Sequence, residues 1–130
     1  MVTDPISNFI ISLKNASDAR KESISVPYSA LKESIAHTLM KAGYVSAVEK
    51  KGKKVIKTLE VGLVYIGSEP RVHGILRISK PSRRIYQGAN DIRMFKSGFG
   101  NTVISTPKGV LLDVDAKKHK VGGEVLFKIW

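Results

Sequence analysis

Three histidines, His37, His73 and His119, are the residues best suited to acid–base or metal chemistry near neutral pH. No two of them stand at the spacing that metal-binding motifs use, and the acidic side chains are scattered along the chain. The sequence has no nucleophile elbow, no Walker loop and no cysteine, which excludes thiolate catalysis and cysteine-ligated metal sites. We therefore predict no enzymatic activity, no metal site and no cofactor.

Positive charge is the strongest chemical signal in the chain. Its 130 residues carry 22 Lys and Arg against 11 Asp and Glu, a formal net charge of +11 at pH 7. Such a surplus repels itself unless polyanions are near, which favours nucleic acid or an acidic membrane surface as a partner. Hydrophobic residues make up 42 % and charged residues 25 %, as in an ordinary folded domain.

The densest basic run contains Lys50, Lys51, Lys53 and Lys54, and together with Gly52 it is typical of a hairpin tip over residues 51–53. One interpretation is a flexible basic finger that contacts phosphates. The other is an ordinary turn whose lysines face water. The residues alone do not decide between the two interpretations.

Two arginines, Arg83 and Arg84, precede Tyr86 after a polar, basic bend. Arginine offers a planar set of donors to a phosphate, and tyrosine offers a ring that stacks on a base. Basic and aromatic residues in combination are typical of RNA sites. The alternative is that Tyr86 covers the edge of a β core.

A polar loop joins two predicted strands and consists of Ser105, Thr106, Pro107, Lys108 and Gly109. Its hydroxyls can donate to a phosphate or accept from a ribose 2′-OH, and its lysine adds charge. Proline stiffens the loop, and glycine permits a close approach of the backbone to RNA. An ordinary strand connection rich in turn formers explains the same five residues equally well.

An acidic residue, Glu124, follows the glycine pair Gly122-Gly123 in this basic half of the chain. A carboxylate accepts hydrogen bonds from the amino groups of cytosine or guanine, which would add base recognition. It would equally orient a neighbouring lysine or arginine, or form a routine salt bridge. From the residues alone, the routine interpretation is the simpler one.

The elements that position these residues follow from hydrophobic spacing. After Asp4-Pro5, apolar residues at helical spacing predict a helix that ends near residue 16. A second helix is predicted from a Ser29 cap to Gly43, with Leu31 on its buried face. A strand near residues 23–26 and two strands flanking the lysine run complete an α-β-α-β-β order.

The second half is predicted to be mainly β with short helices. Strands are expected near residues 71–78, 101–105, 109–112 and 124–130, with a helical turn at 90–95 and a short helix capped by Asp113. The run Ile66–Pro70 is the best linker candidate. We therefore predict an α+β fold with two domains, an N-terminal α/β lobe over residues 1–66 and a mainly β RNA-recognition lobe over residues 67–130.

Charge differs between these predicted lobes. Residues 67–130 carry twelve basic and five acidic side chains, whereas residues 1–66 carry ten and six. A polyanion site is therefore expected first in the second lobe. No apolar run approaches the roughly 20 residues that span a bilayer, and the N-terminus lacks the pattern of a signal peptide, so we expect no membrane partner. The expected location is the cytoplasm, or an organelle matrix if a transit peptide has been removed.

Segments spread over the chain match one known pattern. They are the run Gly100–Val110, Asp113, Ala116–Lys118, the Gly122-Gly123-Glu124 run, the opening Asp4–Ser7 with Lys14–Ala16, and the stretch Ser79–Tyr86. Together they resemble the bacterial form of the ribosomal small-subunit protein number eight family, over essentially all 130 residues. The resemblance implies an α/β N-terminal lobe and a mostly β C-terminal lobe.

This resemblance also implies a function. Members of that family are primary binders of the central domain of small-subunit ribosomal RNA and help to assemble the platform. Expected partners are therefore that RNA, neighbouring small-subunit ribosomal proteins and, as in several bacteria, the messenger RNA of the protein's own operon, which it represses. The resulting candidate RNA-binding residues are Ser105, Thr106, Pro107, Lys108, Gly109, Tyr86, Glu124, Arg83, Arg84, Lys51, Lys53 and Lys54.

Two positions depart from the family pattern. Pro107 stands where Ser or Thr is common, and Leu112 replaces a frequent Thr. Because proline lacks a hydroxyl and an N–H, loop contacts are expected from Ser105, Thr106 and the backbone of residues 108–109. Two other classes stay open from the residues: a free-standing regulator that binds messenger RNA or DNA, and a phosphate-processing enzyme.

Overall fold

The computed structural model describes residues 5–53, 56–88, 90, 92 and 100–130. They group into two compact units, Pro5–His73 and Gly74–Trp130. The first has helices and strands in the predicted α-β-α-β-β order, and the second is mainly β with one short helix, which confirms the α+β class. The predicted domain boundary at residue 66 stays a prediction. The predicted helical turn at 90–95 lies largely outside the described residues.

Two amphipathic helices belong to the first unit. Helix α1 spans Pro5–Asp18, two residues beyond its predicted end, and its buried side chains recur at helical spacing. Helix α2 spans Ala30–Lys41, and the Ser29 hydroxyl accepts a hydrogen bond from the Lys32 N–H at 3.1 Å, as the predicted cap requires. The prediction for Leu31 is wrong, because its side chain is exposed and Ala36 lies on the buried face instead.

A three-stranded antiparallel sheet completes the packing of this unit. Its strand order is β1-β3-β2, and the strands are β1 (Ser23–Pro27), β2 (Val45–Lys53) and β3 (Ile56–Leu63). The predicted hairpin tip at residues 51–53 is wrong. Lys51 pairs with Thr58 and Gly52 with Lys57, so these residues belong to the ladder between β2 and β3.

A small hairpin occupies the segment predicted as a linker. Strands β4 (Tyr65–Ile66) and β5 (Glu69–Pro70) pair with each other, and Gly67 between them has a φ of +64°, which glycine adopts without strain. The Tyr65 hydroxyl donates to the backbone carbonyl of Lys21. The segment is thus a turn attached to the start of β1, within the first unit.

The second unit contains a five-stranded sheet with the order β6-β10-β8-β9, and β7 also pairs with β10. These strands are β6 (Ile75–Arg77), β7 (Tyr86–Gln87), β8 (Asn101–Thr106), β9 (Gly109–Leu112) and β10 (Gly123–Ile129). All pairings are antiparallel, and β10 is the central strand because it pairs with β6, β7 and β8. The C-terminal strand therefore joins segments that are distant in sequence.

Helix α3 (Asp113–Lys118) packs on this sheet, where Ala116 contacts a small apolar cluster around Ile92 and Ile104. The predicted cap is wrong: Leu112 occupies the cap position, and no side chain caps the helix. Asp113 is instead buried in the first turn and accepts a hydrogen bond from Asn101 Nδ2 at 3.1 Å. Across the described ranges, no helix is both long enough and apolar enough to cross a membrane.

Candidate nucleic-acid interface

Three of the candidate residues form a row across three neighbouring strands. Tyr86 on β7 pairs directly with Glu124 on β10, and Glu124 pairs directly with Ser105 on β8. Side chains of directly paired antiparallel residues lie on the same face of a sheet. We call Tyr86, Glu124 and Ser105 the cross-strand row. The Tyr86 side chain is largely exposed, at 67 %, so its ring is available for stacking.

An arginine holds the acidic member of this row. Arg84 Nη1 lies 3.1 Å from Oε2 and 3.2 Å from Oε1 of Glu124, and the Glu124 side chain is only 15 % exposed. The salt bridge that the sequence left as one alternative is therefore formed. Because guanidinium carries five N–H donors, Arg84 keeps others with which it can donate to a phosphate.

Close backbone contact explains the glycine that precedes Glu124. A Cβ atom at position 123 would lie 2.0 Å from the carbonyl oxygen of Ser105 and 3.0 Å from the Cα of Thr106. Real Cβ atoms do not approach backbone so closely, so only glycine lets β10 run this near to the end of β8. Gly123 thereby sets the distance between the backbones that carry Ser105 and Glu124.

The predicted loop is a tight two-residue turn, with Pro107 and Lys108 between paired Thr106 and Gly109. The Thr106 hydroxyl donates to the Gly109 carbonyl at 2.7 Å and accepts from the Lys108 N–H at 3.1 Å. Proline is favoured at the first of the two turn positions, and Gly109 has a φ of +107°. The turn is therefore rigid, and it presents an exposed Lys108 beside the cross-strand row.

A second turn lies before Tyr86. The backbones of Lys80 and Arg83 hydrogen-bond to each other in both directions, at 2.9 and 3.0 Å. Arg83 is exposed and belongs to this turn, whereas Arg84 follows it and reaches Glu124. The two arginines that adjoin in sequence therefore occupy different environments.

The lysine run belongs to the first unit and differs from the predicted finger. Lys51 Nζ lies 3.0 Å from a carboxylate oxygen of Glu60 and 3.6 Å from one of Glu49. The hydrogen bond to Glu60, the charge of Glu60 and then that of Glu49 raise the pKa of Lys51 above its ordinary value of 10.5. Lys50 Nζ lies 4.5 Å from the centre of the Tyr28 ring. Lys54 and the side chain of Lys53 lie outside the described residues.

Comparison with known proteins adds a further observation to this geometry. The model of the family described as "Ribosomal protein S8" matches residues 4–130. The chain belongs to the ribosomal protein S8 family. This family consists of ribosomal structural proteins and is not an enzyme class. In the part of the chain that the structure describes, no group of three acidic, histidine or cysteine side chains is arranged to hold a metal ion.

Curated relatives in the S8 family match the chain from end to end. The chain is 43 % identical over 99 % of its length to "Small ribosomal subunit protein uS8" of Mycoplasmopsis agalactiae, which it covers to 98 %. Proteins of the same name from Persephonella marina and Fervidobacterium nodosum are 41 % and 43 % identical, with 100 % of both chains covered. The family predicted from the sequence segments is thus confirmed.

In this member of the S8 family, the fold brings together one subset of the candidate residues. Within the second unit it gathers Tyr86, Arg84, Glu124 and the turn of residues 105–109 around the end of β10. Sequence reasoning missed Ser79, a fully buried serine beside this group. The stretch Ser79–Tyr86 contributed to the family resemblance, but a serine before a proline-containing bend is typical of an exposed loop, so the sequence predicted no buried role for Ser79.

Proposed function

We propose that this chain binds the central domain of small-subunit ribosomal RNA as a primary binding protein and helps to assemble the platform of the subunit. The cross-strand row carries the proposal, because one face combines an exposed ring with a hydroxyl that can donate hydrogen bonds and a carboxylate that accepts them. Membership of the ribosomal protein S8 family supports the ribosomal role. The segments that resemble the family's RNA-contacting motifs support the choice of the central domain.

Each side chain has a chemical role in this proposal. The Tyr86 ring stacks on an unpaired base, and Arg84 donates to a backbone phosphate. The Glu124 carboxylate, oriented by Arg84, accepts from the amino group of a guanine or cytosine. Ser105 contributes a hydroxyl that can bond to a phosphate or a ribose 2′-OH, the group that distinguishes RNA from DNA.

General affinity comes from charge rather than from this row. With a net charge of +11, the chain attracts RNA of any sequence, and that attraction weakens as salt rises. Lys108 in the turn and Arg83 before the row are exposed cations in the second unit that contribute to it. Phosphate contacts fix the orientation of the protein, and the row selects the site.

The proposed setting is the ribosome in the cytoplasm, with neighbouring small-subunit ribosomal proteins as further partners. An operon messenger RNA that copies the ribosomal site would bind through the same row, which makes translational repression the alternative activity of this surface. Neither role requires a cofactor.

A filter-binding titration tests the proposal. Wild-type protein is titrated against a central-domain fragment of small-subunit ribosomal RNA and against a scrambled RNA of equal length, at several salt concentrations. We expect tighter binding to the fragment near physiological salt, with a log–log salt slope of about −4 if roughly five phosphates are neutralised. Equal binding to both RNAs, lost together as salt rises, would contradict the proposal.

A further inference from the structure

Ser79 is a polar side chain with no exposure to solvent, close to the candidate interface in sequence and in space. Its hydroxyl donates to the Ile85 carbonyl at 3.1 Å and accepts from the Ile85 N–H at 2.9 Å. One side chain thereby satisfies both backbone groups of a residue six positions away. Buried hydroxyls with two partners in fixed directions tolerate little movement of the backbone they hold.

The residue held by Ser79 lies between two members of the interface. Ile85 follows Arg84, which reaches Glu124, and precedes Tyr86, which pairs with Glu124. The Ile85 carbonyl also accepts from the Val125 N–H at 2.8 Å, and the Ser79 N–H donates to the Val125 carbonyl at 3.2 Å. Ser79, Ile85 and Val125 therefore form a closed set of hydrogen bonds immediately behind the row.

We propose that Ser79 is a positioning residue for RNA recognition, which acts by fixing the backbone of Ile85 so that Arg84 and Tyr86 are ordered before RNA binds. This inference rests on the proposed function of the cross-strand row. Ser79 itself is buried and makes no contact with RNA. Its contribution is to lower the entropic cost of binding, because the two exposed side chains lose less freedom when RNA binds.

Ile85 is held from two sides: its carbonyl accepts from the Val125 N–H on β10, and the Ser79 hydroxyl bonds to both of its backbone groups. The Lys80–Arg83 turn is closed by its own backbone bonds, and strand β7 contains only two residues. A two-residue strand has a short ladder, and the Ser79 hydroxyl adds two bonds that tie Ile85 to Ser79, whose own N–H donates to the Val125 carbonyl on β10. Loss of the hydroxyl therefore loosens the recognition residues while the sheet of β8, β9 and β10 remains paired.

The variant Ser79→Ala removes the hydroxyl without adding volume, and Thr102→Val is its matched control. Thr102 is another buried hydroxyl residue of the same unit, on the face of β8 opposite to Ser105. Binding of each folded variant to the central-domain fragment and to the scrambled RNA is measured beside wild type. Hydrogen exchange of the Ile85 amide reports whether the bond to position 79 has been lost.

We expect Ser79→Ala to weaken binding to the central-domain fragment about tenfold, which is the size of the entropic cost of ordering two contact side chains. Binding to scrambled RNA should change less than about twofold. The Ile85 amide exchanges faster, and Thr102→Val keeps the wild-type preference. A Ser79→Ala protein with faster exchange of the Ile85 amide and an unchanged preference for the central-domain fragment would overturn the inference. If wild type itself shows no preference, the proposed function and this inference fail together, and the wild-type titration alone identifies that case.

A double-mutant cycle distinguishes positioning from a general loss of stability. If Ser79 acts through Tyr86 and Arg84, adding Ser79→Ala to a Tyr86→Ala, Arg84→Ala protein causes no further loss of affinity. An additional tenfold loss in that background would contradict positioning. Should Ser79→Ala fail to fold, Ser79→Cys retains the side-chain volume with a weaker donor and acceptor, and the same cycle is measured with it.

Discussion

The cross-strand row and the lysine run both have residues typical of an RNA site, but their side chains have different surroundings in the fold. In the row, residues 86, 105 and 124 come from three strands and meet through antiparallel register, and the Tyr86 ring remains exposed. In the run, Lys50 lies over the Tyr28 ring and Lys51 lies between two carboxylates. Lysines that are adjacent in sequence thus have partners within the first unit, whereas residues distant in sequence form a surface with a ring, a carboxylate and a hydroxyl.

The contrast shows that charge density along a chain does not identify the surface that selects a ligand. Lysines with intramolecular partners still contribute to the total charge, which attracts any RNA. Selection requires donors, acceptors and rings at fixed distances. The row is held by a tight turn, a close glycine contact and a salt bridge.

The largest effect is expected from Gly123→Ala. The added Cβ would clash with the Ser105 carbonyl, a backbone group that cannot move aside without opening the ladder between β8 and β10. We expect a loss of about 3 kcal/mol in the free energy of unfolding, together with loss of cognate RNA binding. Urea denaturation measures the first quantity. Gly109→Ala is the control: its Cβ meets no atom within 4 Å, and the φ of +107° costs about 1 kcal/mol.

If Gly123→Ala were no less stable than Gly109→Ala, the close approach of β10 to Ser105 would not be a constraint on the row. The contrast between the cross-strand row and the lysine run would then lose its main physical basis, since the spacing of Glu124 and Ser105 depends on that contact.

Tyr86→Ala is expected to affect binding but not folding. Loss of a base-stacking ring typically costs about 1–3 kcal/mol of binding free energy, roughly five- to 150-fold in affinity for the cognate fragment. Because the side chain is largely exposed, the free energy of unfolding should change by less than about 0.5 kcal/mol. Filter binding and urea denaturation measure the two quantities. Tyr86→Phe, which retains the ring, should keep most of the affinity, and a full loss in that variant would assign the role to the hydroxyl.

A comparison of two lysine variants concerns a smaller effect. Lys108→Ala removes an exposed cation that makes no salt bridge within the described part of the chain, so we expect it to reduce the log–log salt slope by about 1. Lys51→Ala should change the slope less, because its ammonium already pairs with Glu60 and Glu49. It should weaken cognate and scrambled RNA alike. Titrations over a salt series measure both slopes, and equal slopes would show that intramolecular pairing does not reduce the contribution of Lys51.

The smallest effect is a pH dependence at Lys51. Its pKa is raised above 10.5 in the folded protein, so the stability that it contributes is fully present below that pH and is lost as pH rises through the folded pKa. Since the ammonium is solvent-exposed, the contribution is small. The difference in unfolding midpoint between wild type and Lys51→Met should stay constant at neutral pH and shrink in strong alkali. A difference that grows with pH would contradict the assigned partners.

Local sequence patterns predicted most of the elements. Periodicity predicted both long helices and the strands near 101–105 and 109–112, and Ser29 forms the predicted cap. Errors arose where tertiary pairing overrides local preference. Gly52 is typical of a turn but is paired within β2, and Asp113 is typical of a cap but is buried against Asn101. Sheet register and the bond from the Ser79 N–H to the Val125 carbonyl depend on distant residues, so no local pattern reveals them.

The central claim is that selectivity resides in the cross-strand row and not in the lysine run. The most direct measurement is the ratio of affinities for central-domain and scrambled RNA in two double variants, Tyr86→Ala with Glu124→Gln and Lys50→Ala with Lys51→Ala. We predict that the first variant brings this ratio close to one, while the second weakens both affinities equally and keeps the wild-type ratio. A ratio that falls in the lysine variant and survives in the row variant would contradict the account.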